Sequence, residues 1–237
     1  MEPMVHAWSA AQVRAAEEPH LDAGEPLMAR ASAGLAEGVR GLLRASSSWP
    51  APVVLLVGSG SNGGDALFAG ALLAADGCPV TVVPTGSRVH EEGLEAARDA
   101  GAVVDDPVAW STADGAARRL AETGAAVLLD GVVGTGTSGS PALRGAGRRV
   151  VEALLASRGA GRLPLVVAVD LPSGVGPDDG SVPDDAVLPA DLTVTFGGRK
   201  AGLVLAPGSA LAGRVEVVEI GIEADLAAMP PLVTLPD

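Results

Sequence analysis

Short apolar runs alternate along this chain with stretches of helical periodicity and with glycine-rich turns. The run from Val53 to Val57 has no polar alternation and is rich in β-branched residues, which is typical of a parallel strand covered on both faces. Comparable runs occupy 80–83, 127–130, 165–169 and 192–196. This alternation predicts an α/β fold with a mostly parallel central sheet. Helices are predicted over 66–75, 91–99, 113–122 and 145–157, and further strands over 102–104 and 215–220.

The two ends of the chain carry different patterns. Ser9 and Gln12 have the spacing of a capping box, which predicts a helix that starts near residue 10. A second helix is predicted over 26–43, so residues 1–45 are interpreted as an N-terminal helical cover. Residues 225–237 contain two adjacent prolines and are interpreted as a tail or linker. We expect a single domain over 1–237, because such a length fits one α/β unit.

Composition narrows the classes of partner. The net charge of -13 and the shortage of aromatic residues argue against nucleic acid or an anionic membrane as the main partner. A single cysteine, Cys78, excludes an internal disulfide and a cysteine metal site, and it suits a reducing compartment. No apolar run approaches the roughly 20 residues that span a bilayer. We therefore expect a soluble cytoplasmic protein.

The loop that follows the first buried strand contains four glycines between Gly58 and Gly64. Glycine lets the backbone turn sharply and aim its N–H groups at an anion or a ring, and Asp65 is predicted as the N-cap of the next helix. The spacing of the loop matches the dinucleotide fingerprint of nicotinamide oxidoreductases. However, the next strand ends in Pro84-Thr85-Gly86, where that fingerprint needs a carboxylate. A phosphate P-loop fails as well, because Asp65 stands where lysine is required.

Polar residues also follow two later strands. Asp130 ends one strand before a second glycine-rich loop, and Asp170 ends another before Pro172 and Ser173. Each residue taken alone is explained equally well as a cap or turn residue. Because ligands collect beyond the carboxyl ends of parallel strands, we predict that these residues and the first glycine loop form one site.

The residue types at this edge indicate the chemistry. Asn62, Asp130 and Ser173 supply oxygen donors, which suit a weakly held alkali ion better than a magnesium cage. Asp170 is the best candidate acid/base, because a partly buried carboxyl group can exchange protons near neutral pH. Lys200, after the glycine pair at 197–198, is interpreted as a phosphate contact, with a surface lysine as the open alternative.

Four motifs in this order resemble the NAD(P)H-hydrate epimerase family, the YjeF N-terminal domain. They are GSGSNGGD at 58–65, DGVVGTG at 130–136, VDLPSG at 169–174, and TVTFG at 193–197 with KAGL at 200–203. The leading helices, at 9–14 and 27–28, are similar as well, so the resemblance covers nearly the whole chain.

The resemblance implies a Rossmann-like three-layer αβα sandwich, usually a homodimer, that interconverts the R and S forms of hydrated NADH and NADPH (NADHX and NADPHX). It implies potassium at Asn62, Asp130 and Ser173. The substrate contacts that it implies, with Lys200 added from the reasoning above, are Ser61, Asn62, Gly63, Gly64, Asp65, Gly134, Thr135, Gly136, Thr137, Ser138, Gly139, Ser140 and Asp170.

The implied reaction is chemically consistent with these residues. An acid that protonates the C6 hydroxyl of the hydrate lets the ring nitrogen expel water, and water returning to the other face inverts the centre. Asp170 is our hypothesis for both steps, and ring opening is an equally allowed route. The chain departs from the family at Ser61, which is usually Asn, at Ala66, which is commonly Gly, and at 71–72, where Ala-Leu replaces Arg-His.

Three alternatives remain open from the sequence. The same fold can serve as a non-catalytic ligand-binding or scaffold module, and an NAD-dependent dehydrogenase would have to bind intact NAD without the ribose carboxylate. Many bacterial family members also carry an ADP- or ATP-dependent dehydratase domain. This chain is therefore expected to be either a stand-alone epimerase or a piece of a longer protein, with the dehydratase as a separate or fused partner.

Overall fold

Strands and helices alternate through most of the computed structural model, which describes residues 4–136, 140–157 and 163–236. The strands are β1 (Met4–Ala7), β2 (Val53–Val57), β3 (Val80–Pro84), β4 (Val103–Val104), β5 (Val127–Gly131), β6 (Leu165–Val169), β7 (Leu192–Phe196), β8 (Arg214–Val218) and β9 (Val233–Pro236). The helices are α1 (Ala10–Asp22), α2 (Leu27–Ala45), α3 (Ser61–Ala75), α4 (Glu91–Asp99), α5 (Ala113–Thr123), α6 (Gly145–Ser157) and α7 (Glu223–Ala227).

Seven of these strands form one sheet in the order β4-β3-β2-β5-β6-β7-β8. Every neighbouring pair in it is parallel, as the buried apolar runs predicted. The chain builds outward from β2 through β3 to β4, and then returns to add β5 and its successors on the other side. The loops after β2 and β5 therefore diverge, which leaves a crevice at the carboxyl ends of these two strands.

Helices cover both faces of the sheet. Successive residues of β2 point to opposite faces, so that Leu55 packs with α2 and α3 while Leu56 packs with α5 and α6. These two clusters give the three-layer αβα sandwich that was expected. No helix within the described ranges is both long and apolar enough to cross a membrane.

The N-terminal capping box is present as predicted. The Ser9 hydroxyl accepts a hydrogen bond from the Gln12 amide at 3.1 Å, and the Gln12 side chain accepts one from the Ser9 amide at 2.9 Å. Two orphan amides of the first turn are thereby satisfied, and α1 begins at Ala10.

The start of α3 differs from the prediction. The helix begins at Ser61 with Gly60 as its N-cap, so Asp65 is not a cap but a buried residue of the second turn. Gly63 and Gly64 weaken a helix when judged by propensity alone. Gly63 is nevertheless required here, because its backbone passes so close to the preceding turn that a Cβ would overlap the carbonyl oxygen of Gly58.

The two ends of the described chain pair with each other. Strand β9 runs antiparallel to β1, with Val5 opposite Leu235, and α7 precedes it. The interpretation of residues 225–237 as a tail or linker is therefore wrong over the described part, and the N-terminal cover includes a strand. The reason is that each strand finds its hydrogen-bond partner at the far end of the chain, where local pattern cannot reveal it.

The central strands should dominate stability. Leu129 in β5 is fully buried, so Leu129→Ala should lower the free energy of unfolding by about 2–5 kcal/mol, the usual cost of a cavity plus lost burial. Val108, which is 71% exposed, provides the control, and Val108→Ala should cost less than about 1 kcal/mol. Urea denaturation of the two variants measures the difference, and equal losses would contradict this account of the core.

Candidate functional site

An open cleft of about 1420 Å³ lies at the carboxyl ends of the central strands. The loops after β2 and β5 form two of its sides, α1 forms a third, and Asp170 and Lys200 lie at its floor. Its volume exceeds the roughly 300–1,000 Å³ of typical small-molecule pockets. The cleft therefore has room for an extended ligand.

Close contact between the two glycine loops shapes this cleft. The Gly58 amide donates to the Gly131 carbonyl at 3.0 Å, and a Cβ on Gly58 would overlap the carbonyl oxygen of Val132. Only glycine permits this approach. As a result, the first turn of α3 is held at the cleft. The amides of Ser61 and Asn62 have no partner within the described residues and are available to a ligand, whereas those of the next two residues donate to the Gly60 carbonyl.

The predicted metal ligands lie at the carboxyl ends of three adjacent strands. Asn62 is in the first turn of α3, after β2, Asp130 is in β5, and Ser173 is in the loop after β6. The Ser173 amide donates to Asp130 Oδ2 at 2.8 Å. The Ser173 hydroxyl accepts from the Val133 amide at 2.9 Å and donates to the Val133 carbonyl at 3.1 Å. Asn62 Nδ2 donates to the Val169 carbonyl at 2.5 Å. The structure thus gathers all three residues beneath the loop that follows β5.

Asp130 has the least favourable environment of these three. It is 1% exposed, and burial raises the pKa of its carboxyl group, although hydrogen bonds from Ser173 and Val132 oppose this shift. No lysine or arginine of the described residues acts on it. A buried carboxyl without a cation is costly when ionised, so it must either hold a proton or face a positive ion.

Asp170 is held in a strained and directional arrangement. Its φ of 69° lies in the left-handed region, which non-glycine residues adopt rarely and mostly where the surrounding structure demands it. Its Oδ1 accepts from Lys200 Nζ at 2.5 Å, from Thr195 Oγ1 at 2.8 Å and from the Phe196 amide at 3.4 Å. Its Oδ2 has no partner within the described residues, so this oxygen is available to a ligand in the cleft.

Lys200 is buried, at 2% exposure, which excludes the surface-lysine alternative. Besides Asp170, its ammonium donates to Thr195 Oγ1 at 3.2 Å and to the Phe196 carbonyl at 2.8 Å. An ammonium group has three donors, and all three are used inside the protein. Lys200 therefore orients Asp170, and a contact with phosphate would require the loss of one of these bonds.

Two further carboxyl groups face this ion pair. Burial raises the pKa of Asp65 to about 8, with the charges of Asp170 and Glu17 adding to the shift and the Lys200 ammonium opposing it. Burial also raises the pKa of Glu17, which lies half-buried on α1; there Lys200 opposes the shift and Asp170 adds to it. Sequence reasoning missed Glu17. The available signal was its position four residues after the buried Val13, on the inward side of α1.

The remaining predicted contacts fall into three groups. Ser61, Gly134, Thr135, Gly136 and Ser140 line the cleft. Gly63 and Gly64 are not among the residues that line the cleft. They lie inside α3, where Gly64 packs against His90 and Met28. Thr137, Ser138 and Gly139 lie outside the described residues. The guanidinium of Arg14 donates to the Thr135 carbonyl at 3.0 Å, which ties α1 to the loop after β5.

Comparison with known proteins identifies close relatives. Residues 24–202 match the family model described as "YjeF-related protein N-terminus". A protein of Clavibacter michiganensis subsp. michiganensis named NAD(P)H-hydrate epimerase is 51% identical over 95% of this chain and 94% of its own length. A protein of Microbacterium testaceum with the same name is 46% identical over 97% of this chain and 84% of its own length.

Two other similarities extend this picture. A Mycobacterium tuberculosis protein named bifunctional NAD(P)H-hydrate repair enzyme Nnr is 38% identical over 93% of this chain, which matches 42% of its length. The crystal structure of the yeast protein ynu0 superposes with a TM-score of 0.67 at 18% identity and covers 84% of each chain. At that identity, the yeast structure supports the fold alone.

The raised pKa of Asp65 predicts a pH-dependent stability. Between the ordinary aspartate pKa of about 3.9 and the folded value of about 8, the native state binds more protons than the unfolded state. Stability therefore falls as pH rises through this window. Compared with that of Asp65→Asn, the free energy of unfolding of the wild type should fall by up to about 1.4 kcal/mol per pH unit between about pH 5 and 8. Urea unfolding of both proteins at several pH values measures this difference. A difference that is independent of pH would contradict the assignment.

Proposed function

We propose that this chain, which belongs to the YjeF-related N-terminal family, is an NAD(P)H-hydrate epimerase, an isomerase that interconverts the R and S forms of NADHX and NADPHX. Relatives that bear this name match nearly its whole length. The observation that carries the proposal is Asp170, whose one oxygen is fixed by three donors while the other is free at the floor of the cleft.

The chemistry needs a carboxyl group at that position. The hydrate carries a hydroxyl on C6, next to the ring nitrogen. When a proton reaches this hydroxyl, the C6–O bond breaks, water leaves, and the nitrogen lone pair forms a planar iminium. Water then adds to the other face and releases a proton. We infer that Asp170 Oδ2 gives or accepts that proton, while Lys200 keeps the carboxyl group oriented.

Several features of the cleft support this reading over a non-catalytic scaffold. A scaffold has no need of a left-handed aspartate or of a buried lysine that orients its carboxyl group. The first turn of α3 offers backbone amides that suit the phosphates of a dinucleotide, and the cleft has room for one.

We further propose that an ADP- or ATP-dependent dehydratase acts as a separate or fused partner, because the bifunctional mycobacterial relative is longer than this chain.

The oxygen donors at the base of the cleft support an alkali cation such as potassium. The donors are an amide oxygen, a carboxylate and a hydroxyl, all of which suit a hard cation. The described residues contain no group of three His, Cys, Asp or Glu side chains that could hold a metal. No lysine or arginine of the described residues acts on the buried carboxyl group of Asp130, so a bound ion would remove its electrostatic cost. We propose that Asn62, Asp130 and Ser173 hold potassium, which would neutralise Asp130 and stiffen the loop after β5.

Epimerase activity should depend on Asp170. With the R and S forms of NADHX followed by chromatography and the spontaneous rate subtracted, the wild type should speed their interconversion. Asp170→Asn should slow the catalysed rate by at least about 10²-fold, because the amide cannot transfer the proton. Asp99→Asn, an exposed position at the end of α4, should keep the full rate. Full activity of the Asp170 variant would refute its role.

Gly134 offers a direct test of the potassium site. A Cβ there would overlap Asn62 Oδ1, whereas a Cβ on Gly136 would meet nothing within 4 Å, and neither glycine needs a positive φ. Potassium chloride should raise the melting temperature and the epimerase rate of the wild type and of Gly136→Ala above their values in N-methylglucamine chloride of equal ionic strength. Gly134→Ala should lose this response. An equal response in all three proteins would argue against potassium at Asn62.

A further inference from the structure

We propose that Glu17 is a second catalytic acid/base residue, which serves one face of the substrate ring while Asp170 serves the other. This inference rests on the proposed epimerase function and goes beyond it, because it assigns a residue on α1 that no motif of the glycine loops includes.

The position of α1 brings Glu17 to the cleft from a different direction than Asp170. The Ala10 amide donates to Asp178 Oδ1 at 2.6 Å, which fixes the start of the helix, and Arg14 donates to the loop after β5. The helix is therefore anchored at both points and forms a wall of the cleft. Glu17 lies one turn after Arg14 on that wall, while Asp170 lies at the end of β6, on the floor.

Glu17 is also free to act. Its carboxyl group is half-buried, yet it accepts no hydrogen bond from the described residues. The charged groups that face it are Lys200 and Asp170 from the floor, Asp65 from α3 and Arg14 on its own helix. A carboxyl group in such a mixed environment, partly withdrawn from water, is suited to hold a proton and to release it near neutral pH.

Inversion at C6 creates the need for a second group. Water must leave from one face of the ring and return to the other. The oxygen Oδ1 of Asp170 is tied to three donors, so its carboxyl cannot swing around the ring to serve both faces. Of the two other carboxyl groups that face the Asp170–Lys200 pair, Asp65 is 5% exposed and lies deep in α3, whereas Glu17 is more accessible to the cleft.

The carboxyl groups of Glu17 and Asp170 together account for both proton transfers of the inversion. In one direction the acid form of Glu17 gives its proton to the C6 hydroxyl and the C6–O bond breaks, so that water leaves. The nitrogen lone pair forms the C6=N double bond of the iminium. A water molecule adds to C6 from the other side, and its proton passes to the carboxylate of Asp170. Proton exchange with water in the open cleft restores both groups. In the reverse direction the same two residues exchange roles.

The test separates inversion from exchange of the hydroxyl. In water enriched in ¹⁸O, the conversion of R to S forms and the uptake of ¹⁸O into each form are followed by chromatography with mass detection. Glu17→Gln should slow inversion by at least about 10²-fold. Uptake of ¹⁸O into the epimer that Asp170 serves should stay within about threefold of wild type, because Asp170 alone still removes and returns water on its own face. Glu95→Gln, exposed on α4, is the matched control and should change neither rate.

Several outcomes would overturn the inference. If Glu17→Gln inverts at the wild-type rate, Glu17 is not an acid/base residue. If it loses inversion and ¹⁸O uptake into both epimers in parallel, with an unchanged melting temperature, its role is positioning only. Inversion by the wild type without ¹⁸O uptake would indicate ring opening, which ends this inference but leaves the epimerase function standing. A wild type that fails to invert the substrate at all would instead refute the proposed function.

Discussion

A buried ion pair between Asp170 and Lys200 connects most parts of this site. The side chain of Lys200 orients Asp170, and its backbone forms a bridge with Trp8, two residues before the start of α1. Two backbone hydrogen bonds hold this bridge: the Trp8 amide donates to the Arg199 carbonyl and the Ala201 amide donates to the Trp8 carbonyl, both at 2.9 Å. One buried residue thus positions both the floor of the cleft and the helix that forms its wall. Because both charges are withdrawn from water, the loss of either partner would leave an uncompensated charge in the core.

The second constraint is the close contact between the loops after β2 and β5. These strands lie side by side where the order of the sheet reverses, so their loops leave in opposite directions and open a crevice. Gly58 and Gly134 keep that crevice narrow at its base, because a side chain at either position would overlap the facing loop or Asn62. The donor oxygens that we assign to potassium lie beneath this contact. A ligand in the cleft would therefore lie close to the proposed ion.

These arrangements oppose stability. Three features each raise the free energy of the folded state: the left-handed backbone of Asp170, the buried Asp130 with no cationic side chain acting on it in the described part of the chain, and Asp65, whose pKa burial raises to about 8. The apolar clusters on both faces of the sheet offset this cost. Unfavourable groups concentrated at one edge of a well-packed sheet are typical of a site selected for chemistry.

Local pattern determined a large part of this protein. The uninterrupted apolar runs determined the strands of the parallel sheet, and Ser9 with Gln12 determined the start of α1, because these features depend on neighbours in the sequence. The placement of Asp130 and Asp170 directly after such runs also indicated which edge carries the site. Only the tertiary structure decided where α3 begins, how β1 finds β9, and that Lys200 is buried against Asp170 in the cleft that Glu17 also lines. The pairing of β1 with β9 and that of Lys200 with Asp170 depend on contacts between residues far apart in the chain, whose energy is not encoded in any single stretch of sequence. The start of α3 depends on how closely Gly63 approaches the Gly58 carbonyl across a turn, which the helical pattern alone does not reveal.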